Sequence, residues 1–138
     1  MDKLKNDPAL VKKAVEEMLR YDSPVQLTAR WVTQDVVVAG EQLKRGQQVA
    51  TMLGAANRDA QMFPSPDRLD VRRENAGQHI GFGSGIHYCL GAPLARLEAE
   101  IAFSTLLRRL PELALDTQPP VYRKTYVLRG KLCIPLVF

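Results

Sequence analysis

Cys89 lies in the run His79-Ile-Gly-Phe-Gly-Ser-Gly-Ile-His-Tyr-Cys-Leu-Gly91, where Gly81, Gly83, Gly85 and Gly91 surround a single thiol. Glycines at this density let backbone approach a flat or bulky ligand closely, because no Cβ stands in the way. A helix pattern follows at once, and a thiolate at a helix start is favoured by the partial positive charge and free N–H groups there. A thiolate on such a loop can hold a metal that keeps one axial position open. Two other readings of the same residues stay open. A free cysteine is often a small core hydrophobe, and Cys89 with His87 could act as nucleophile and base. The nucleophile reading lacks an orienting third group, and i, i+2 spacing on a glycine loop does not oblige the imidazole to face the sulfur.

The pattern Phe82-Gly83-x-Gly85-x-His87-x-Cys89-x-Gly91 resembles the haem-binding signature of the cytochromes P450 at all six named positions. The resemblance implies haem b (iron protoporphyrin IX) as cofactor, with Cys89 as the metal's protein ligand. It implies that Phe82 shields the sulfur, that Gly83, Gly85 and Gly91 admit the porphyrin, and that His87 meets a propionate. Arg30, in Thr28-Ala-Arg30, stands where that family's second propionate contact comes from, and an arginine fork suits a carboxylate bidentately. Read without the resemblance, Arg30 is a cross-strand charge, and Trp31 beside it is bulkier than most relatives carry there.

A helix over 7–21 is expected ahead of these residues. Asp7 can cap it, Pro8 fits its first position, and Leu10, Val11, Ala14, Val15, Met18 and Leu19 recur at helical spacing. Glu17 and Arg20 share one face at i and i+3. As a bare pair they are a surface bridge worth ~0.2–0.5 kcal/mol. In the P450 family the matching pair is buried and takes a third member from the meander, a position matched here by Arg68 in Phe63-Pro-Ser-Pro-Asp-Arg-Leu69. The proline- and Asx-rich coil over 54–78, with Ala56-Asn-Arg-Asp59, resembles that meander. Asp67 and Leu69 stand where Glu and Phe are common in relatives.

Between helix and meander, 26–53 reads as a small β-sheet. Its strand-prone runs are Leu27 to Thr33, Val36 to Ala39 and Gln48 to Leu53, with turn signals at Ala39-Gly40 and Arg45-Gly46. After the loop over 79–91, a helix over 90–110 carries Leu94, Leu97, Ala99, Ile101, Ala102, Leu106 and Leu110 as its apolar stripe. Arg96, Arg108 and Arg109 decorate it or its end, and Pro111 stops it. The part over 120–138 reads as terminal β-hairpins, with Cys133 most simply a buried thiol. The expected fold class is α+β, the C-terminal part of the cytochrome P450 fold. The resemblance covers that part only, and the family's distal helix with its acid–alcohol pair lies outside it.

With 138 residues, 46% of them hydrophobic, the chain is one domain or a piece of one, and no apolar run is long enough for a membrane span. Its two cysteines, far apart, give no disulfide framework, and a ligating Cys89 must stay unpaired, so a cytoplasmic location is expected. The net charge of +4 suits an acidic electron-transfer partner such as a ferredoxin, and no motif supports nucleic acid. The function that the resemblance implies is monooxygenation, inserting one oxygen atom from dioxygen into a hydrophobic small molecule. Val25, Gln26, Leu27, Thr125, Tyr126 and Val127 match segments lining its substrate pocket. The alternatives are a truncated, non-catalytic haem-binding remnant and, less well supported, the Cys89-dependent thiol enzyme.

Overall fold

The computed structural model describes residues 2–138. A short helix, α1 (Asp2–Asn6), and a 3-10 turn (Pro8–Leu10) lead into α2 (Val11–Tyr21). The helix expected over 7–21 is therefore divided. Asp7 makes no side-chain cap, and Pro8 opens the 3-10 turn instead of the α-helix proper. Helix α2 buries Val11, Ala14 and Val15 with Glu17 and Arg20 one turn further on. The chain's interior is thus apolar at one end of α2 and ionic at the other.

Eight short strands follow as two nested pairs of antiparallel ribbons instead of continuous sheets. Outer strands β1 (Thr28–Trp31) and β4 (Gln48–Thr51) enclose the hairpin β2 (Val36–Val38) and β3 (Glu41–Leu43). Ala39 and Gly40 join that hairpin with φ of 50° and 86°, the two left-handed residues of a type I′ turn, whose twist matches the strands. The sheet expected to reach residue 53 stops at Thr51, and Leu53 begins α3 (Leu53–Ala56), turning its side chain into the core.

The coil after α3 closes on 3-10 turns at Ala76–Gln78 and Gly85–His87, and α4 (Ala92–Arg109) follows. Distal to α4, β5 (Ala114–Leu115) pairs with β8 (Leu136–Val137), around β6 (Val121–Tyr122) paired with β7 (Lys131–Cys133). The terminal ribbons therefore begin before residue 120. Cys133 is exposed, not buried, because these ribbons lie with both faces largely in solvent. A bridge between Val25 and Leu128, flanked by Gln26 N–H to Val127 O (2.8 Å) and Arg129 N–H to Pro24 O (2.7 Å), ties the end of α2 to this region.

Helix α4 packs on α2, but its expected stripe is not a buried face. Leu94, Leu97, Ile101 and Leu106 are all exposed, and only Ala92 is fully buried. Apolar residues surround most of α4, so one packed neighbour cannot cover them. No helix among the described residues is long and apolar enough to cross a membrane.

Candidate functional site

The thiol of Cys89 is exposed on a loop that is closed by its own backbone. Gly83 N–H donates to Ile80 O (2.9 Å), Tyr88 N–H to Gly85 O (3.0 Å), and Cys89 N–H to Phe82 O (3.0 Å). Gly83 and Gly85 take φ of 76° and 66°, so any side chain there would be strained. Gly91 stands at the start of α4, where an added Cβ would lie 3.7 Å from the sulfur. The ring of Phe82 is fixed by the Arg96 guanidinium, 4.7 Å above it, and by the edge of Tyr88.

Cys89 opens onto a cleft of about 480 Å³. Phe82 and Gly83 line it on the loop side, Leu19, Val25 and Leu53 supply apolar wall, and Arg30 and His87 bring nitrogen donors. Such a cleft complements a metal at the centre of an apolar plate that carries carboxylates at its edge. Among the described residues no group of three or more His, Cys, Asp or Glu could hold a metal ion.

Not every expected site residue lines the cleft or is free of other partners. Gly85 and Gly91 shape the loop without lining the cleft, and Arg30 currently donates to Ala29 O (2.8 Å). Of the residues expected along a substrate pocket, Val25 lines the cleft, whereas Gln26, Leu27, Thr125, Tyr126 and Val127 do not. The amide of Gln26 is taken up by Ser23 O (2.5 Å), Val127 meets Gln26 through backbone, and Tyr126 is 94% exposed.

Behind the loop lie two ionic clusters. In the first, Arg20 grips Glu17 with two hydrogen bonds (Nε to Oε2, 2.7 Å; Nη2 to Oε1, 3.0 Å), both side chains fully buried. The third member is Arg73, not Arg68. Arg73 Nε reaches both Glu17 oxygens at 3.1 Å, and the Asp70 N–H donates to Oε1 (2.8 Å). Arg68 contributes only its carbonyl, which accepts from Arg20 and Arg73, while the residue itself stays exposed. The meander bends at Ser65, with φ of 52°, and the segment that follows brings the later arginine over the carboxylate. Buried Asn57 links this cluster to the loop. Its carbonyl accepts from Arg20, its Nδ2 donates to Ser23 Oγ, and its Oδ1 accepts from Ile80 N–H, each at 2.8 Å.

The second cluster was not anticipated from sequence. Glu16 accepts two hydrogen bonds from Arg96 (2.5 and 3.0 Å) and meets His79 Nε2 at 3.1 Å. Arg96, expected as helix decoration, also donates to Tyr88 Oη (2.9 Å). The available signal was the pair Glu16-Glu17 on a helix whose neighbours are core residues. Consecutive helix positions point about 100° apart, so two acids need two separate sets of cations.

These clusters have a pH signature. Burial opposes the charge on Glu17, but hydrogen bonds from Arg20, the Asp70 amide and Arg73 outweigh it and hold the carboxyl below its ordinary 4.5. Burial likewise opposes charge on Glu16, and Arg96 and His79 overcome it. Burial, with Arg96 and Arg20 nearby, depresses the His79 imidazole below 6.5 despite Glu16. A depressed histidine takes up its proton less readily folded than unfolded, so its contribution holds above pH 6.5 and is lost as the pH falls below it. The carboxylates' contribution holds above pH 4.5 and is lost below it. Melting midpoints are expected to fall in two stages, each group adding a slope of up to about 1.4 kcal/mol per pH unit. A flat profile from neutral pH down to 4.5 would contradict the neutral, buried His79.

Comparison with known proteins gives a consistent result. The family model described as Cytochrome P450 matches residues 2–132. The polyketide biosynthesis cytochrome P450 PksS of Bacillus subtilis is 46% identical over 138 residues, covering 98% of this chain and 34% of that protein. The biotin biosynthesis cytochrome P450 of the same organism is 46% identical over 136 residues, covering 99% and 34%. The crystal structure of P450BioI in complex with a hexadec-9Z-enoic acid ligated acyl carrier protein superposes with a TM-score of 0.94 at 46% identity, covering 99% of this chain and 35% of that one. The chain thus spans about a third of the length of the relatives it matches.

Proposed function

The chain belongs to the cytochrome P450 family, and on that premise we propose that it forms the thiolate side of a haem b site in a monooxygenase, with Cys89 as the iron's protein ligand. The observation that carries this reading is the exposed Cys89 thiol opening onto an apolar-walled cleft that also holds Arg30 and His87. The donor set fits haem: a soft sulfur for iron, apolar walls for the macrocycle, and two nitrogen-bearing side chains for its carboxylates. When bound, haem would supply reductive activation of dioxygen, which a thiolate ligand favours by pushing electron density toward the O–O bond.

The protein's own residues do the rest. Phe82, Leu19, Val25 and Leu53 keep water from one side of the site. Gly83 and Gly85 hold the backbone in left-handed turns that leave room for the ring, and Arg30 and His87 would offer hydrogen bonds to its carboxylates. Electrons come from an acidic partner of the ferredoxin type, drawn to a chain of net charge +4. The substrate class is a hydrophobic small molecule. A fatty-acyl or polyketide-like chain is favoured by relatives named for polyketide and biotin biosynthesis and by one solved with an acyl carrier protein. A ligating free thiol suits a reducing cytoplasm.

Titrating haem into the chain tests this reading. The reduced carbon monoxide complex is expected to show the red-shifted thiolate absorption in the original chain and in Cys133→Ala, and to lose it in Cys89→Ala. Haem should also protect Cys89 from iodoacetamide. Equal labelling with and without haem would overturn the assignment and favour a thiol enzyme, and a red-shifted band that survives in Cys89→Ala would overturn it in favour of a different sulfur ligand.

A further inference from the structure

We propose that His79 is a positioning residue for the Cys89 thiolate, acting through the Gly81 amide and the Phe82 carbonyl. The proposal rests on the reading of Cys89 as haem ligand. The His79 side chain is fully buried, and its Nδ1 accepts a hydrogen bond from Gly81 N–H at 3.0 Å. A backbone N–H can only donate, so Nδ1 carries no proton and the neutral ring must carry its proton on Nε2. Nε2 then donates to Glu16 Oε2 at 3.1 Å, and Glu16 is itself held in the two-bond grip of Arg96. The orientation of the ring is set by residues from α2 and α4 together.

The consequence runs forward along the loop. Gly81 N–H is locked onto the ring, and the next residue, Phe82, uses its carbonyl to accept Cys89 N–H at 3.0 Å. A shift of the Gly81 peptide moves the Phe82 peptide and with it the amide of the ligand residue. Gly81 is fitted to this role: an added Cβ would lie 3.1 Å from His79 Nδ1 and 3.4 Å from Leu19 O. Arg96 closes the frame from the other side, through Tyr88 Oη and the face of Phe82. Nothing in this frame touches the sulfur. It fixes the backbone that presents it.

Two isosteric changes separate positioning from simple support. In His79→Asn, Oδ1 takes the place of Nδ1 and still accepts from Gly81 N–H, but the link to Glu16 is lost. In His79→Gln, the amide reaches Glu16 but no acceptor faces Gly81. Hydrogen exchange of the Gly81 and Cys89 amides in the chain without haem is expected to rise about ten-fold in His79→Gln, because a buried donor has lost its acceptor. His79→Asn should restore most of that protection. With haem bound, the midpoint potential of the iron should shift in His79→Gln and return toward the original value in His79→Asn. Exchange and potential that follow the melting temperature alone, with Asn no better than Gln, would reduce His79 to a structural residue and overturn the proposal. If instead the original chain takes no haem through Cys89, the ligand reading fails, while the exchange pattern still reports the loop's geometry.

Discussion

Arg20→Ala is expected to abolish cooperative folding, a larger effect than that of any other single substitution in the helix-to-meander interface. The guanidinium is fully buried and hydrogen-bonded at all three nitrogens: besides Glu17 it donates to Asn57 O (2.8 Å), Pro66 O (3.0 Å) and Arg68 O (3.3 Å), and it lies 5.2 Å from the centre of the Phe63 ring. Alanine would leave these carbonyls without their Arg20 donor and remove the principal counter-charge of a buried carboxylate. Breaking a buried ion pair costs roughly 3–5 kcal/mol, a large share of the ~5–15 kcal/mol that holds a domain folded. Arg73→Ala should cost less, because Arg20 and the Asp70 amide would still hold Glu17. Arg68→Ala should stay within about 0.5 kcal/mol, since its side chain is exposed and its carbonyl is untouched. Urea melts followed by near-ultraviolet circular dichroism rank the three. A cooperative Arg20→Ala transition near that of the original chain, or Arg68→Ala more damaging than Arg73→Ala, would show that the cluster is wired differently.

That ranking marks where sequence reasoning reached and where it stopped. The pairing of Glu17 with Arg20 is legible because i and i+3 on a helix must face the same way. The third partner is not. Arg68, Arg72 and Arg73 all lie in a coil, where no periodicity fixes direction, and the choice depends on the left-handed bend at Ser65. Asn57 shows the same limit: the order Ala56-Asn-Arg-Asp59 marks a motif, but not that its asparagine joins α2, Ser23 and the Cys89 loop. The loop itself was the most readable part, since its glycines at 83 and 85 are demanded by positive φ and its cysteine is the ligand-type group at its centre. His79 is the counterexample. A lone histidine ahead of a glycine gives no sign of a partner sixty-three residues back in Glu16.

Helix α4 and the terminal strands bound the reading differently. Their existence and type were legible from period and composition, but the covering of their apolar residues was not, because a hydrophobic position says what must be covered and not by what. Leu94, Leu97 and Ile101 on α4 are more than half exposed, as are Leu132 and Phe138 at the chain's end. Within the Cys89 loop, Ile86 and Leu90 are 98% and 100% exposed. The relatives that match this chain are about three times its length.

This distribution leads to the last expected result: the 138-residue chain on its own self-associates and, even loaded with haem, gives no coupled hydroxylation. Contiguous apolar patches beyond ~300–600 Å² are uncommon on soluble monomers and drive association, and Leu94, Leu97 and Ile101 of α4 with Leu132 and Phe138 at the chain's end are exposed apolar side chains of the kind that build them. Coupled hydroxylation is expected to fail for a related reason. Activating dioxygen productively requires that water be excluded and that protons arrive in order. The cleft beside Cys89 has walls from the loop, the end of α2, β1, β4 and Leu53 of α3, and among the described residues none from α4 or the terminal ribbons lines it. Oxidation of any substrate should therefore be slow, supported by peroxide and unselective. Light scattering across a dilution series reads the first half, with mass expected to rise with concentration. An assay of the haem-loaded chain with a reductase, a ferredoxin and reduced nicotinamide cofactor reads the second. A monomer at all concentrations that turns over with product matching cofactor consumption and with a single site of hydroxylation would mean that the open face is closed in solution by residues already within this chain.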